Sequence, residues 1–198
     1  MSHPTLLFDM YGVLMRLPGP SFRRGVLAAA GGNEDIWPVY AELRPALDAA
    51  QVTEVNYWRQ VALRAGVEDL DIQEAIAADY GDCLEADHEV VDNVLALRDK
   101  GYKVGILSNI PTGLAARVRR RHSGWLDEFD AVTFSCDIGV AKPDTQAFAV
   151  AVDALGASPR DTVFFDDRED YIAGAEAAGL CAVLFTGWDS VAGELGLK

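Results

Sequence analysis

Thr5-Leu6-Leu7-Phe8-Asp9-Met10-Tyr11-Gly12-Val13-Leu14 is the stretch on which the fold turns. An apolar run that ends in an aspartate, with a glycine three residues later, reads as a buried strand of a parallel sheet. Asp9 then stands at the carboxyl end of that strand, where open α/β sheets place their ligands. A carboxylate there can serve as nucleophile, metal ligand or both. The plainer alternative is an aspartate that only organises the turn into Gly12.

Downstream, residues 15–86 read as helices. Ser21 is placed to cap a helix with Phe22, Val26 and Leu27 on one face, stopped by Gly31-Gly32. Asn33 opens a second, carrying Trp37 and Tyr40, which Pro45 should interrupt. Thr53 caps a third, on which Trp58, Val61, Ala62 and Ala65 share a face. Asp71 with Glu74 resembles a capping box ahead of Ile72, Ala75, Ile76 and Tyr80. From Asp87 a helix–strand rhythm takes over, with strands expected over 103–109, 131–136, 162–167 and 181–185. The helices between them include a basic one over 112–122 and one starting at Pro143. This alternation implies an α/β fold: a Rossmann-like parallel sheet flanked by helices, with a small helical insertion.

Composition narrows the partners. With 17 basic against 31 acidic side chains the net charge is −14, which argues against nucleic acid and against an anionic membrane, since both select clustered Lys and Arg. Arg117, Arg119, Arg120 and Arg121 form a basic cluster that reads as a solvated helix face. Cys83, Cys136 and Cys181 are scattered, which suggests a reducing compartment and no metal cluster. No basic leader precedes Leu6 and no apolar run is long enough to span a bilayer. A soluble, cytoplasmic protein, monomer or homodimer, is expected.

The polar residues that end the strands are Asp9, Ser108-Asn109 and Asp166-Asp167, and Lys142 lies in a strand-to-helix loop. A parallel sheet brings them to one edge. Each alone has a dull account in turn and capping chemistry. Together they supply a nucleophile, a hydroxyl, a lysine and an acidic pair. In order and spacing, Phe8-Asp9-Met10-Tyr11-Gly12, Leu107-Ser108-Asn109, Ala141-Lys142-Pro143-Asp144 and Phe165-Asp166-Asp167 resemble the four motifs of the haloacid dehalogenase-like hydrolase superfamily. The resemblance implies a core of residues 1–14 and 87–198 and an α-helical cap domain over 15–86. It implies that Asp9 is the catalytic nucleophile, and that Ser108 and Lys142 hold the transferred group, with backbone N–H groups near Asn109. It also implies that Asp166 and Asp167 bind Mg²⁺ together with Asp9 and the Tyr11 carbonyl, Asp167 aligning better with the usual ligand. Asp144 reads as a helix-start acid.

Tyr11 departs from the pattern of the phosphatases, which usually carry a second aspartate there as general acid and base. Asp-x-Tyr-Gly resembles the metal-free 2-haloacid dehalogenases, whereas paired acids in the fourth motif resemble phosphatases. Electrostatics favours the latter: two carboxylates about 4 Å apart repel by roughly 4 kcal/mol at an effective dielectric near 20. Three of them with an anionic substrate call for a hard cation such as Mg²⁺. The expected function is Mg²⁺-dependent hydrolysis of a small phosphorylated metabolite, sugar phosphates among them, through an aspartyl-phosphate on Asp9. The alternatives are a 2-haloacid dehalogenase and a phospholigand-binding protein with little catalysis. Arg16, Arg23, Arg24, Tyr40, Arg44, Trp58 and Arg59 are the residues of the insertion expected to face the site, Trp58 reading better as core.

Overall fold

Thr5–Phe8 forms β1, buried at every position, in the computed structural model, which describes residues 3–197. Its side chains alternate between two apolar layers, as the pleat requires: Leu6 and Phe8 enter one cluster and Leu7 the other. A strand with no polar face belongs in the interior of a sheet. β1 is the central strand of five, in the order β3-β2-β1-β4-β5, and all pairings are parallel.

Along the chain β1 is followed by α1 (Pro20–Ala29), α2 (Ile36–Asp48), α3 (Glu54–Ala65), α4 (Ile72–Gly81) and α5 (His88–Asp99). Next come β2 (Lys103–Ser108), α6 (Thr112–Leu126), β3 (Ala131–Phe134), α7 (Ser135–Ile138) and α8 (Thr145–Ala154). β4 (Thr162–Asp166), α9 (Glu169–Ala177), β5 (Cys181–Leu184) and α10 (Trp188–Glu194) complete it. Val91, Val94 and Leu97 of α5 with Leu114, Ala115 and Val118 of α6 cover one face of the sheet. Ala147, Phe148, Ala151 and Val152 of α8 with Ala175 of α9 cover the other. α10 was not foreseen; its Val191 packs into the first cluster.

The inserted helices α1 to α4 have a core of their own, built on Val26, Ile36, Leu47, Tyr57, Trp58, Val61 and Ala75. Thr53 caps α3 by accepting from Asn56 N, and Asp71 caps α4 by accepting from Gln73 N and Glu74 N. The box is half made, because the Asp71 N–H donates to Ala29 O instead. Several sequence expectations fail locally. Ser21 does not cap α1: Gly19 does, followed by Pro20, and the Ser21 hydroxyl donates to the Asp82 carboxylate. Asn33 accepts from Asp35 N ahead of a helix that opens at Ile36. Pro45 lies inside α2 without ending it, because the turn beyond it is held by Leu47 in the core and by an Arg44–Asp48 ion pair. Pro143 precedes α8 rather than starting it; Asp144 is the N-cap, accepting from Gln146 N. The third strand stops at Phe134, and Ser135 begins a helical turn.

Candidate active site

Parallel order delivers the expected carboxylates to one edge. Phe8 is level with Phe165, so the residues that follow, Asp9 and Asp166, meet; the Asp9 N–H donates to Phe165 O at 2.9 Å. Between β1 and β4 the connections reverse direction across the sheet, which is where open α/β sheets hold ligands. Oxygens of Asp9, Asp166 and Asp167 lie within 4.8 Å of one another. Gly12 makes room for the third: at φ +88° it adopts a backbone that favours glycine, and a Cβ there would overlap the Asp167 carboxylate.

Lys142 closes the cluster from the loop before α8. Its buried Nζ donates to Asp9 Oδ1 at 2.7 Å and to Asp166 Oδ2 at 2.6 Å. Asn109 sets the loop in place: its Nδ2 donates to Lys142 O and its Oδ1 accepts from Lys142 N, both at 2.8 Å. The Asn109 side chain therefore orients Lys142, and only its backbone is left for a substrate. Nδ2 also donates to the Tyr171 hydroxyl at 3.1 Å, and the Tyr171 ring lies 4.7 Å from the Lys142 ammonium. Ser108, which ends β2 just before Asn109, is fully buried, and its Oγ has no partner among the described residues. Tyr11 turns its phenol away, donating to Cys83 O at 3.1 Å.

Burial works against the Lys142 ammonium, but Asp9 and Asp166 outweigh it and raise its pKa. Asp166 is pushed up to about 7, by burial first and by the Asp9 charge second. The same two causes raise Asp167. One ammonium against three carboxylates leaves the cluster anionic. An all-oxygen donor set of this kind fits a hard divalent cation, and the orphaned Ser108 hydroxyl at the end of the neighbouring strand β2 fits a bound anion.

The insertion reaches the strand ends through α2 and α3. Ser135 Oγ accepts from Ile110 N at 2.9 Å and donates to Asp48 O at 2.6 Å. Glu54 Oε1 accepts from Gly113 N, in the first turn of α6, at 2.8 Å. Of the inserted residues expected to face the site, Arg44 lies on this side, whereas the Tyr40 ring packs among Phe22, Trp37, Tyr57 and Trp58 in the insertion's own core. The charges of Arg44 and Asp48, like that of Asp9, act on the Tyr11 phenol, although burial is the main cause that raises it. Arg16 and Arg23 instead form exposed pairs with Glu85 and Glu34, Arg24 and Arg59 are exposed, and Trp58 is core. Ser135, Tyr171 and Glu54 escaped the sequence reading. Tyr171 alone left a signal, as an aromatic one turn beyond the acidic pair. In the basic helix Arg119 pairs with Asp137, and Arg120 and Arg121 are exposed as expected. The three cysteines are free thiols.

A family model described as haloacid dehalogenase-like hydrolase matches residues 3–179. The chain belongs to the haloacid dehalogenase-like hydrolases. Phosphatase MT3486 of Mycobacterium tuberculosis is 40% identical over 87 residues, which are 44% of this chain and 40% of that protein. Less than half of that relative is therefore matched. Sesquiterpene phosphatase astK of Aspergillus oryzae is 27% identical over 188 residues, 94% of this chain and 90% of its own. A HAD family enzyme of Bacteroides thetaiotaomicron, solved with magnesium and inorganic phosphate, has the same fold. It superposes with a TM-score of 0.76 at 20% identity, covering 92% of this chain and 94% of that one. Among the described residues no helix is long and apolar enough to cross a membrane.

Proposed function

We propose that this hydrolase is a Mg²⁺-dependent phosphatase of small phosphomonoesters, sugar phosphates among them, with Asp9 as nucleophile. The observation that carries the reading is the cluster of three carboxylates with Lys142 at the strand edge on which β2 ends in Ser108, whose hydroxyl is buried and unpartnered. Carboxylates packed this closely call for a cation, and the hydroxyl and ammonium then face an anion. Asp9, Asp167 and the Tyr11 carbonyl would hold Mg²⁺, with Asp166 behind them. Asp166 already accepts from Lys142 and, at 3.0 Å, from Arg168 N, which leaves Asp167 the freer ligand. When bound, the ion supplies neutralising charge for the phosphoryl oxygens. The two relatives named as phosphatases support the reading.

In this mechanism an Asp9 oxygen attacks phosphorus in line and the ester oxygen departs, leaving an aspartyl-phosphate. Ser108 Oγ, the Asn109 N–H and the Lys142 ammonium stabilise the equatorial oxygens. Water then cleaves the acyl phosphate and frees Asp9. Tyr11 does not supply the leaving-group proton, because burial pushes its phenol even further above neutral pH. Esters whose leaving group needs little protonation should turn over fastest. The inserted helices act as the cap that excludes water.

Tyr11 at the position of the missing acid favours a second reading, 2-haloacid dehalogenation without metal. Assays with and without chelator separate the two. Chelator-sensitive release of phosphate, restored by Mg²⁺, is the expected result. Chelator-resistant release of halide from 2-chloropropionate would establish the dehalogenase instead.

A further inference from the structure

Arg44 of α2 stands at the strand ends with its charge already matched. Its Nε donates to Asp48 Oδ1 at 2.7 Å, and its Nη1 to Asp79 Oδ1 at 3.0 Å and Oδ2 at 3.1 Å. The Tyr40 hydroxyl also donates to Asp79 Oδ1, at 2.8 Å. Both carboxylates are buried, Asp48 8% and Asp79 2% exposed. The end of α2 is fixed over the catalytic edge by Ser135, which links Asp48 O to Ile110 N, two residues beyond Ser108. Glu54 places a further carboxylate on the first turn of α6. This side of the insertion thus sets three carboxylates against one guanidinium. Arg117 of α6 lies over the buried Tyr80 ring and lines a surface groove with Leu84, Arg120 and Arg121.

A buried guanidinium with free N–H groups would be a fork for a carboxylate on the substrate. Here Nε and Nη1 are taken up from within the chain, and a second anionic group on the substrate would meet more carboxylates than cations, a net negative charge. We infer that this hydrolase selects phosphomonoesters whose leaving group is uncharged, and that Asp48 and Asp79 enforce the choice by neutralising Arg44. The inference rests on the phosphatase reading of the Asp9 site.

Glycerol 3-phosphate and 3-phosphoglycerate form a matched pair that differs in one carboxylate. With Mg²⁺ present, wild-type kcat/KM should favour glycerol 3-phosphate by about tenfold or more. Asp79→Asn keeps the shape and an acceptor for Tyr40 but removes one of the two negative charges on Arg44, taking this group from net negative to neutral. Its ratio should move toward 3-phosphoglycerate by about tenfold. The ratio is taken within each protein, so a general loss of activity cancels. Asp48→Asn repeats the test from the other side if Asp79→Asn does not fold. A wild-type preference for 3-phosphoglycerate, or an unchanged ratio in a folded variant, overturns the inference while p-nitrophenyl phosphate hydrolysis stays intact. Failure to hydrolyse p-nitrophenyl phosphate as well as the matched pair overturns the phosphatase reading, and this inference with it.

Discussion

At the scale of the residue, Asp9 and Tyr11 carry the sharpest expectations. Asp9→Asn cannot form the acyl phosphate, because a neutral amide is no nucleophile for phosphorus. It should lose essentially all phosphatase activity, and a purified sample with near-wild-type turnover would refute the assignment. Tyr11→Asp puts an acid where the reaction lacks one, and general acid–base help is typically worth about 10²- to 10⁴-fold. The structure tempers that gain. The phenol packs against the core cluster and satisfies Cys83 O, so the shorter side chain leaves a void and an orphaned carbonyl. We expect kcat to rise only by the lower part of that range, at a cost of about 2–4 kcal/mol in stability. Steady-state rates beside a denaturant titration check both, and a fall in kcat in a well-folded variant would count against the mechanism.

At the scale of the element, two contacts set how the loops and helices bear on the chemistry. Glu54 of α3 holds the exposed end of α6 through Gly113 N. Glu54→Ala should cost about 1 kcal/mol, the usual worth of a helix cap, and should loosen the inserted helices over the site. Faster limited proteolysis of residues 15–86 would report the loosening, and an unchanged digestion rate would show that the α2 contact through Ser135 suffices. Gly174 of α9 touches the lysine loop, since a Cβ there would stand 2.7 Å from Pro143 O. Gly174→Ala must displace either the helix or the loop. Overpacking of this kind costs about 1–3 kcal/mol, and kcat should fall as Lys142 moves off Asp9. A variant with wild-type kcat and thermal midpoint would mean that the loop yields without disturbing the ammonium.

At the scale of the whole molecule, the site trades stability for charge. Asp166 is raised from 3.8 to about 7, by burial and then by Asp9. A carboxyl whose pKa rises on folding stabilises the fold fully while protonated, below its unfolded value, and that contribution is lost as pH climbs through the folded one. Metal-free protein should therefore lose stability from this group between about pH 4 and pH 7. Protonation of the cluster removes the negative charge that would hold the cation, so Mg²⁺ should raise Tm more at about pH 8 than at about pH 5. Scanning calorimetry at both values, with and without the ion, tests this; equal shifts would show that the ion binds away from the carboxylates.

The order of strands and helices, and the residues that end the strands, could be read from the sequence, because both follow from local chemistry. Apolar runs the length of a strand, broken by helical spacing, require a parallel sheet, and a parallel sheet puts Asp9, Ser108 and Asp166 on one edge. Side-chain partners are another matter, since they depend on which surfaces meet across long stretches of chain. Nothing local says that the Asn109 amide is taken up by the Lys142 backbone and not by a ligand. Pro45 reads as a break, yet Leu47 and Asp48 beyond it are held by packing and by Arg44. Arg44 itself reads as a cation free to meet substrate, and only the fold brings Asp79, 35 residues away, against it. Periodicity is written into neighbouring residues, while the neutralisation of a charge depends on a distant one that the chain must fold to reach.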